Sequence, residues 1–182
     1  MKKIVITGGP GSGKSTIIEL INRNGYHCFK EFSRSLIEQS QIEGKNPFFK
    51  SKPIEFSQLV WEKRAYQFTL AEKLKYNKEK PFVFFDRGVH DVIAYLRYLN
   101  TSPKKIIFSP ERFSYNLCLM LPPWKNIYKK DMHRKETFNE SVKIYENLKR
   151  VYDIYNIPTI EIPLDKPIER MLHILELVKN ER

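Results

Sequence analysis

The feature that most constrains the fold is a glycine-rich stretch near the start of the chain, KKIVITGGPGSGKST at residues 2–16. Its first part, IVI at residues 4–6, is a continuous β-branched run of the kind found in strands buried on both faces. The next residues fill every position of the pattern G-x-x-x-x-G-K-[ST], and an apolar run that begins a helix follows directly. A strand, a glycine-rich turn and a helix in this order predict a loop that binds phosphate groups.

The composition of this loop follows from the chemistry of binding a nucleoside triphosphate. Several backbone N–H groups must point toward the phosphates, and glycine tolerates the torsion angles that this requires. We expect Lys14 to reach the β- and γ-phosphates and the Ser15 hydroxyl to hold Mg²⁺. A glycine-rich turn with a chance lysine is the alternative, and the complete match argues against it. The predicted nucleotide-binding residues are Gly8, Gly9, Pro10, Gly11, Ser12, Gly13, Lys14, Ser15 and Thr16.

Bulk composition narrows the classes of partner. The 182 residues suffice for one domain with a sizeable core, so we predict a single domain over residues 1–182. There are 32 lysines and arginines against 21 aspartates and glutamates, a formal net charge of +11 that favours anionic partners. Because this charge is spread along the chain, a nucleotide is favoured over a nucleic acid. With two cysteines, no leader sequence and no long apolar run, we expect a cytoplasmic protein without a membrane span, of undetermined oligomeric state.

Apolar runs and helical patterns alternate along the rest of the chain. Further strands are predicted at residues 26–29, 82–86, 114–121 and 158–162, with helices at 16–24, from 33, at 54–77, 89–99 and 138–155, and from 167. Continuous apolar strands between helices indicate a three-layer α/β/α fold with a five-stranded parallel sheet covered on both faces. The helix predicted at 54–77 is expected to bury an apolar face formed by Phe56, Leu59, Val60, Tyr66, Leu70 and Leu74. The last helix is expected to bury a face formed by Ile168, Met171, Leu172, Leu175 and Val178.

Polar residues follow two of the predicted strands at the sheet edge where such folds bind ligands. Asp86 ends the run FVFFD and has the form of a carboxylate that holds a Mg²⁺-bound water, with a helix cap as the alternative. In a kinase Glu31 would take the proton of an attacking hydroxyl, in an ATPase it would orient water, and otherwise it is an exposed glutamate. Arg34, one helical turn beyond Glu31, and Arg87 are candidates for contacting substrate or phosphate.

Two loops complete the predicted site. Residues 124–135 carry five basic side chains against one acidic one, which predicts a short basic lid rather than an ordinary connection. Arg134 is the main candidate for neutralising charge on the transferred phosphoryl group, Lys129 and Lys130 are weaker candidates, and a solvated loop is the alternative. Residues 163–166 are predicted to contact the donor base. The loop at residues 44–53 is either a gate or a connector.

Six sequence blocks together carry a resemblance to a known family. They are GGPGSGKST, KEFSR, FFDRGVHD, LPP, the pattern D-x-x-R-x-E at residues 131–136, and the ending IPLDKPIERMLHIL. They resemble P-loop ATPase/kinase families of the AAA_28 type, which are related to nucleoside and nucleotide kinases and to the ribosylnicotinamide kinase domain of NAD-biosynthesis regulators. The resemblance spans nearly the whole chain, and it implies ATP as the nucleotide.

The resemblance also implies roles for particular residues. Glu31 and Arg34 match an E-x-x-R element, residues 86–88 match a D-R-G/S element, and Asp91 follows it on the substrate side. Deoxynucleoside kinases place their general base after the second strand, which supports that role for Glu31. Gly88 stands where the D-R-S motif has serine, and nothing in the chain resembles the helical lid domain of a ring-forming AAA+ motor.

The function expected from the sequence is that of an ATP- and Mg²⁺-dependent small-molecule kinase. It would transfer the γ-phosphate to a nucleoside- or nucleotide-like acceptor, with Lys14, Glu31, Asp86 and Arg134 as the catalytic residues. A stand-alone ATPase, or a nucleotide-dependent switch acting on a protein partner, is the first alternative. A nucleic-acid-stimulated enzyme, suggested by the net charge, is the second.

Overall fold

A five-stranded parallel sheet forms the centre of the protein. A computed structural model describes residues 1–33, 52–101, 109–128 and 136–180. Its strands are β1 (Lys2–Gly8), β2 (His27–Phe29), β3 (Phe82–Asp86), β4 (Leu117–Leu121) and β5 (Thr159–Glu161). All neighbouring strands are parallel, in the order β2–β3–β1–β4–β5. The predicted sheet is confirmed.

In the part of the chain that the structure describes, five helices cover the two faces of this sheet. They are α1 (Lys14–Arg23), α2 (Pro53–Glu72), α3 (His90–Tyr98), α4 (Phe138–Ile154) and α5 (Pro167–Asn180), and a short 3₁₀ turn occupies Pro110–Arg112. Helices α1 and α5 pack against one face, while α2, α3 and α4 pack against the other. Described residues therefore form the three-layer α/β/α arrangement that the sequence predicts. None of the helices described here combines the length and the apolar character needed to cross a membrane.

The central strands are apolar on both faces because each face has its own core. In β3, Phe82 and Phe84 belong to the cluster under α1 and α5, while Val83 and Phe85 belong to the cluster under α2, α3 and α4. Successive side chains of a strand point to opposite faces, so a continuous apolar run fills both cores at once. β4 begins at Leu117, later than predicted, and immediately before it the Asn116 side chain accepts the Lys3 N–H (2.7 Å).

Helix α2 differs from its prediction in length and in the face it buries. It ends at Glu72 rather than near residue 77, and Leu59 and Tyr66, both predicted to be buried, are 42% and 54% exposed. The buried stripe instead includes Arg64 and Gln67. Hydrophobic spacing missed this stripe, because a polar residue on a buried helical face breaks the apolar pattern.

The last helix shows a smaller difference of the same kind. In α5, Met171, Leu175 and Val178 are buried as predicted, whereas Ile168 and Leu172 are exposed. The buried stripe of α5 shares one apolar cluster with α1 and the sheet, and it is narrower than the run of apolar residues suggests.

Strand register brings the predicted functional residues to one edge of the sheet. Ile6 of β1 lies beside Asp86 at the end of β3, and Gly8 lies beside Leu121 at the end of β4. Phe29, the last residue of β2, pairs with Phe85, so the chain that follows β2 leaves the sheet at the same edge.

Candidate active site

The glycine-rich loop between β1 and α1 needs glycine at specific positions. Gly11 and Gly13 have φ angles of +81° and +88°, which side-chain-bearing residues rarely adopt. A Cβ on Gly8 would lie 2.3 Å from the Leu121 carbonyl oxygen, and one on Gly11 would lie 2.6 Å from the Tyr128 ring. The loop therefore keeps a shape that brings its backbone close to its neighbours, as phosphate binding requires.

Lys14 is folded back over this loop. Its buried Nζ donates hydrogen bonds to the carbonyl oxygens of Gly8 and Gly9 (both 2.8 Å) and to Ser12 Oγ (3.1 Å). Burial, followed by the nearby Arg87 charge, lowers the pKa of Lys14 well below its usual value, and the neighbouring carboxylates only partly oppose this. Among the described residues no carboxylate forms an ion pair with Lys14, so an anionic ligand would compensate its charge.

Helix α4 supports the same loop from the other side. Ser141 Oγ donates to the Pro10 carbonyl oxygen (2.7 Å), and a Cβ on Gly9 would lie 2.4 Å from Ser141 Oγ. The helix is fixed at its start by a reciprocal capping box between Thr137 and Glu140. A serine far from the motif in sequence thus holds the loop in place, and the sequence contains no local pattern that reveals it.

Asp86 has the properties of a Mg²⁺ ligand. It is 5% exposed, and its buried Oδ1 has no hydrogen-bond partner among the described residues. Burial, with the Glu31 charge, raises the pKa of Asp86 to about 6, against the opposing effect of Lys14. Ser15 is exposed in the first turn of α1. Carboxylate and hydroxyl oxygens are the ligands that Mg²⁺ prefers, so an unpartnered carboxylate oxygen beside the loop fits this ion.

Glu31 lies between two arginines. Its Oε1 accepts from Arg64 Nη2 (3.0 Å) and Ser33 Oγ (2.7 Å), and its Oε2 accepts from Arg87 Nε (2.5 Å). Burial by itself would raise the pKa of Glu31, but Arg64 and then Arg87 outweigh it and hold the pKa well below its usual range. The carboxylate is therefore ionised and oriented, and it is not the exposed residue considered as an alternative.

Arg87 joins this carboxylate to the glycine-rich loop. Its φ of +73° is uncommon for a residue with a side chain, and its N–H donates to the Ile6 carbonyl oxygen (3.1 Å). Its Nη1 donates to the Gly8 carbonyl oxygen and to Asp91 Oδ1, both at 3.2 Å. Burial lowers the pKa of Arg87, but Glu31 and Asp91 more than reverse this and raise it. Arg87 is fixed from three directions.

Asp91 is buried in the first turn of α3 and serves as the anchor of Arg87. Besides Arg87, its oxygens accept from Thr7 Oγ1 (2.5 Å), from the Gly88 N–H (3.0 Å) and from the Tyr152 hydroxyl (2.7 Å). Its carboxylate oxygens are thus occupied by protein donors. This side chain lies in the wall of the site, where it orients Arg87.

The packing around Gly88 explains its departure from the D-R-S pattern. A Cβ at this position would lie 2.7 Å from the Tyr152 hydroxyl oxygen and 3.0 Å from the Tyr115 ring. The same Tyr152 hydroxyl donates to Asp91, so it occupies space that a serine side chain would need. Glycine at residue 88 and tyrosine at residue 152 are therefore linked by sterics.

A pocket of about 140 Å³ opens beside these residues, between α2, α3 and α4. Pro10 of the glycine-rich loop forms one end, and the polar part of the lining consists of Ser33, Ser57, Arg64, Arg87, Asp91 and Glu136. Most of the remaining lining is apolar and consists of Phe56, Val60, Val92, Tyr95, Ile144 and Leu148. An apolar pocket with a few fixed polar groups suits a small molecule that has an apolar or aromatic body.

Some predicted site residues fall outside the described part of the chain. Arg34, Lys129, Lys130 and Arg134 lie there, as does most of the predicted gate or connector. Residues 163–166 are described and exposed beyond β5. Sequence reasoning missed Arg64 and Tyr152. The available signal for Arg64 was its position four residues after Val60 and eight after Phe56, on the stripe that α2 buries.

The comparisons with known proteins agree with this architecture. Residues 3–170 match the protein family described as AAA domain. A search of curated proteins gave no match. A deoxyadenosine kinase from M. mycoides, solved with the products dCMP and dCDP, is similar at 16% identity and a TM-score of 0.70, covering 98% of this chain and 99% of that one.

Two further solved structures share the fold. Thymidylate kinase from Candida albicans aligns at 16% identity and a TM-score of 0.69, over 99% of this chain and 92% of that one. The NadR protein in complex with NR aligns at 14% identity and a TM-score of 0.68, over 98% of this chain and 50% of that one. At these identities the likeness establishes the fold, which is that of P-loop nucleoside and nucleotide kinases.

Proposed function

The chain belongs to the AAA domain family, and from this premise we propose that it is an ATP- and Mg²⁺-dependent kinase acting on a nucleoside-like acceptor. The observation that carries the proposal is the pocket that extends from Pro10 to the arginines around Glu31. A stand-alone ATPase needs room only for water beside the γ-phosphate, whereas a kinase needs a pocket for the acceptor.

The charges around the pocket favour a hydroxyl over a phosphate as the accepting group. Arg64 and Arg87 both bind Glu31, and Arg87 also binds Asp91. An acceptor phosphate would have to compete with these carboxylates, since a buried ion pair is costly to break. A neutral hydroxyl meets no such competition and is attracted as a donor to the Glu31 carboxylate. A nucleotide-like acceptor is the second choice.

In the proposed reaction, Glu31 orients the acceptor hydroxyl and receives its proton as the new bond to the γ-phosphorus forms and the bond to the β-phosphate oxygen breaks. Because the transition state of phosphoryl transfer is loose, the proton leaves late and a weakly basic carboxylate suffices. Lys14 binds the phosphates by exchanging its carbonyl partners for phosphate oxygens. Asp86 and Ser15 would hold Mg²⁺, which neutralises phosphate charge when it is bound.

The identities of the similar enzymes support an acceptor of this class. One is a deoxyadenosine kinase and another a thymidylate kinase, and each is aligned over at least nine-tenths of its own length. Both names indicate enzymes that act on a nucleoside or nucleotide. The NadR structure contains NR, so NR and ribosylnicotinamide-type acceptors belong in any substrate panel.

The test is direct transfer of label from γ-labelled ATP to a panel of nucleosides, nucleoside monophosphates and ribosylnicotinamide. We expect a labelled product from at least one nucleoside-like acceptor, and loss of labelling when Mg²⁺ is removed with a chelator. The Lys14→Ala variant serves as the inactive control. Slow release of inorganic phosphate with no labelled acceptor would instead favour an ATPase and contradict the proposal.

A further inference from the structure

Arg170 reaches the glycine-rich loop from a distant part of the chain. It lies on α5 and is 2% exposed, and its Nη1 donates to the Ser12 carbonyl oxygen (3.0 Å). The same Nη1 would lie 3.4 Å from a Cβ on Gly13. The guanidinium group therefore packs against the Ser12–Gly13 peptide, immediately before Lys14.

The bonding of this guanidinium is incomplete. Among the described residues, the buried Nε and Nη2 of Arg170 have no hydrogen-bond partner, and no carboxylate forms an ion pair with this guanidinium. Burial lowers the pKa of Arg170, and only the field of Asp165 opposes this. A buried cation without a counterion is costly to the folded state, so its position beside a phosphate-binding loop calls for an explanation other than stability.

Peptide geometry supplies that explanation. In a trans peptide the carbonyl group and the following N–H point in opposite directions. Arg170 binds the Ser12 carbonyl oxygen, so the Gly13 N–H is directed away from Arg170. The side chain of Ser12 is also bound, because Lys14 Nζ donates to Ser12 Oγ (3.1 Å). Ser12 is thus held between two cations, and a charged donor on its carbonyl polarises the adjoining amide.

We propose that Arg170 is a positioning residue for the polyphosphate of the donor nucleotide. It fixes the Gly13 N–H in the orientation that donates to a phosphate oxygen, and the bound polyphosphate supplies the negative charge that no described carboxylate provides to Arg170 through an ion pair. The inference rests only on the nucleotide-binding part of the proposed function and is independent of the acceptor.

The test measures binding to Arg170→Met and Arg170→Lys by calorimetry without any acceptor. The ligands are MgATP, inorganic tripolyphosphate and adenosine. We expect Arg170→Met to lower the affinity for ATP and for tripolyphosphate by about tenfold, which is the effect of one charge-assisted hydrogen bond. The affinity for adenosine should be unchanged. Arg170→Lys keeps the charge and should restore part of the loss. Thermal unfolding of the ligand-free variant should be unchanged or shifted upward, because methionine removes an uncompensated buried charge.

Met171→Ala is the matched control, since Met171 is buried on the same helix and belongs to its apolar face. It should lower thermal stability and leave ATP affinity unchanged. If Arg170→Met lowers stability but binds ATP and tripolyphosphate like the wild type, Arg170 is structural and the proposal is wrong. If the wild type binds ATP but labels no acceptor, the proposed kinase function fails while this inference stands.

Discussion

The proposed donor side and the proposed acceptor side of the site differ in whether their cationic side chains are paired with carboxylates. On the donor side, the glycine-rich loop with Arg170, neither Lys14 nor Arg170 forms an ion pair with any described carboxylate. On the acceptor side, the pocket with the Glu31 cluster, Arg64 and Arg87 are both paired with carboxylates. A cation without a paired carboxylate favours an anionic ligand. A cation that is already paired with a carboxylate instead orients that carboxylate toward a neutral ligand.

The largest expected effect comes from removing the donor-side lysine. Lys14→Ala should reduce turnover on the order of a thousandfold, because in the proposed reaction Lys14 contacts the phosphates that carry the charge of the transition state. Acceptor binding, measured by calorimetry without ATP, should change little. Lys149→Ala, at an exposed lysine on α4, is the control and should behave like the wild type. Substantial turnover in Lys14→Ala would contradict the phosphate-binding assignment on which the donor side depends.

The next effect comes from neutralising the carboxylate between the two arginines. Glu31→Gln should lower transfer by about a hundredfold and leave ATP binding nearly intact, since it removes the proton acceptor and keeps the side-chain shape. It also removes the negative charge that Glu31 places beside Arg64 and Arg87. A nucleoside monophosphate should then bind more tightly than it does to the wild type, as calorimetry would measure.

Two outcomes of the Glu31→Gln experiment would contradict the proposed difference between the donor side and the acceptor side. Unchanged transfer in Glu31→Gln would exclude Glu31 as the proton acceptor. Unchanged monophosphate affinity would mean that charge compensation does not set the preference of the pocket. Glu55→Gln, at an exposed glutamate on α2, controls for the loss of one carboxylate elsewhere.

Measuring KM as a function of pH should distinguish the two sides, because the KM for MgATP is expected to change by about tenfold and the acceptor KM is not. Because the pKa of Asp86 is raised to about 6, its ionised fraction falls as the pH drops below that value. At pH 5 roughly one-tenth of Asp86 is ionised in the ligand-free protein, so the KM for MgATP should rise by about tenfold. Glu31 has a lowered pKa and stays ionised, so the acceptor KM should stay constant over this range.

Asp86→Asn is the control for this titration, because protonation of ATP itself affects both proteins equally. The variant should bind MgATP more weakly at every pH and lose the part of the pH dependence that belongs to Asp86. An unchanged pH profile in Asp86→Asn would show that another group titrates, and the assignment of Asp86 as a metal-binding carboxylate would lose its support.

The smallest effect on turnover is expected at Gly88. Gly88→Ser should lower the free energy of unfolding by about 1–3 kcal/mol, because the added Cβ meets the Tyr152 hydroxyl at 2.7 Å. Turnover by the folded fraction should change only a few-fold. In a double-mutant cycle with Tyr152→Phe, the serine should be less destabilising, since the clashing oxygen is gone. Equal destabilisation in both backgrounds would contradict the steric link between these residues.

The donor side was largely predictable because its information is local. The strand, the glycines and the lysine follow one another within residues 2–16, and the structure has the predicted strand, glycine-rich turn and helix there. The order of apolar runs likewise predicted five strands and the parallel sheet, because a strand buried on both faces leaves a continuous apolar signature. Helix α2 was assigned correctly as an element, but its buried face was not.

The acceptor side was predictable only in part because its residues come from separate elements. Glu31, Asp86 and Arg87 were found from their positions after strands. Arg64 was missed, because a charged residue on a helix is ordinarily read as part of its solvent-facing side. It becomes significant only when α2 packs close enough for it to reach Glu31 and the Gly88 carbonyl oxygen (3.2 Å).

By itself, the sequence determined the glycine-rich loop between a strand and a helix, the parallel sheet and the edge at which the candidate site lies, since these depend on residue order and local torsion preferences. Tertiary structure decided which charges are compensated. It paired Glu31 with Arg64 across 33 positions of sequence and brought Arg170 to Ser12 across 158. The electrostatic character of each side depends on distances of a few ångströms between remote residues, and only the packing of helices against the sheet sets such distances.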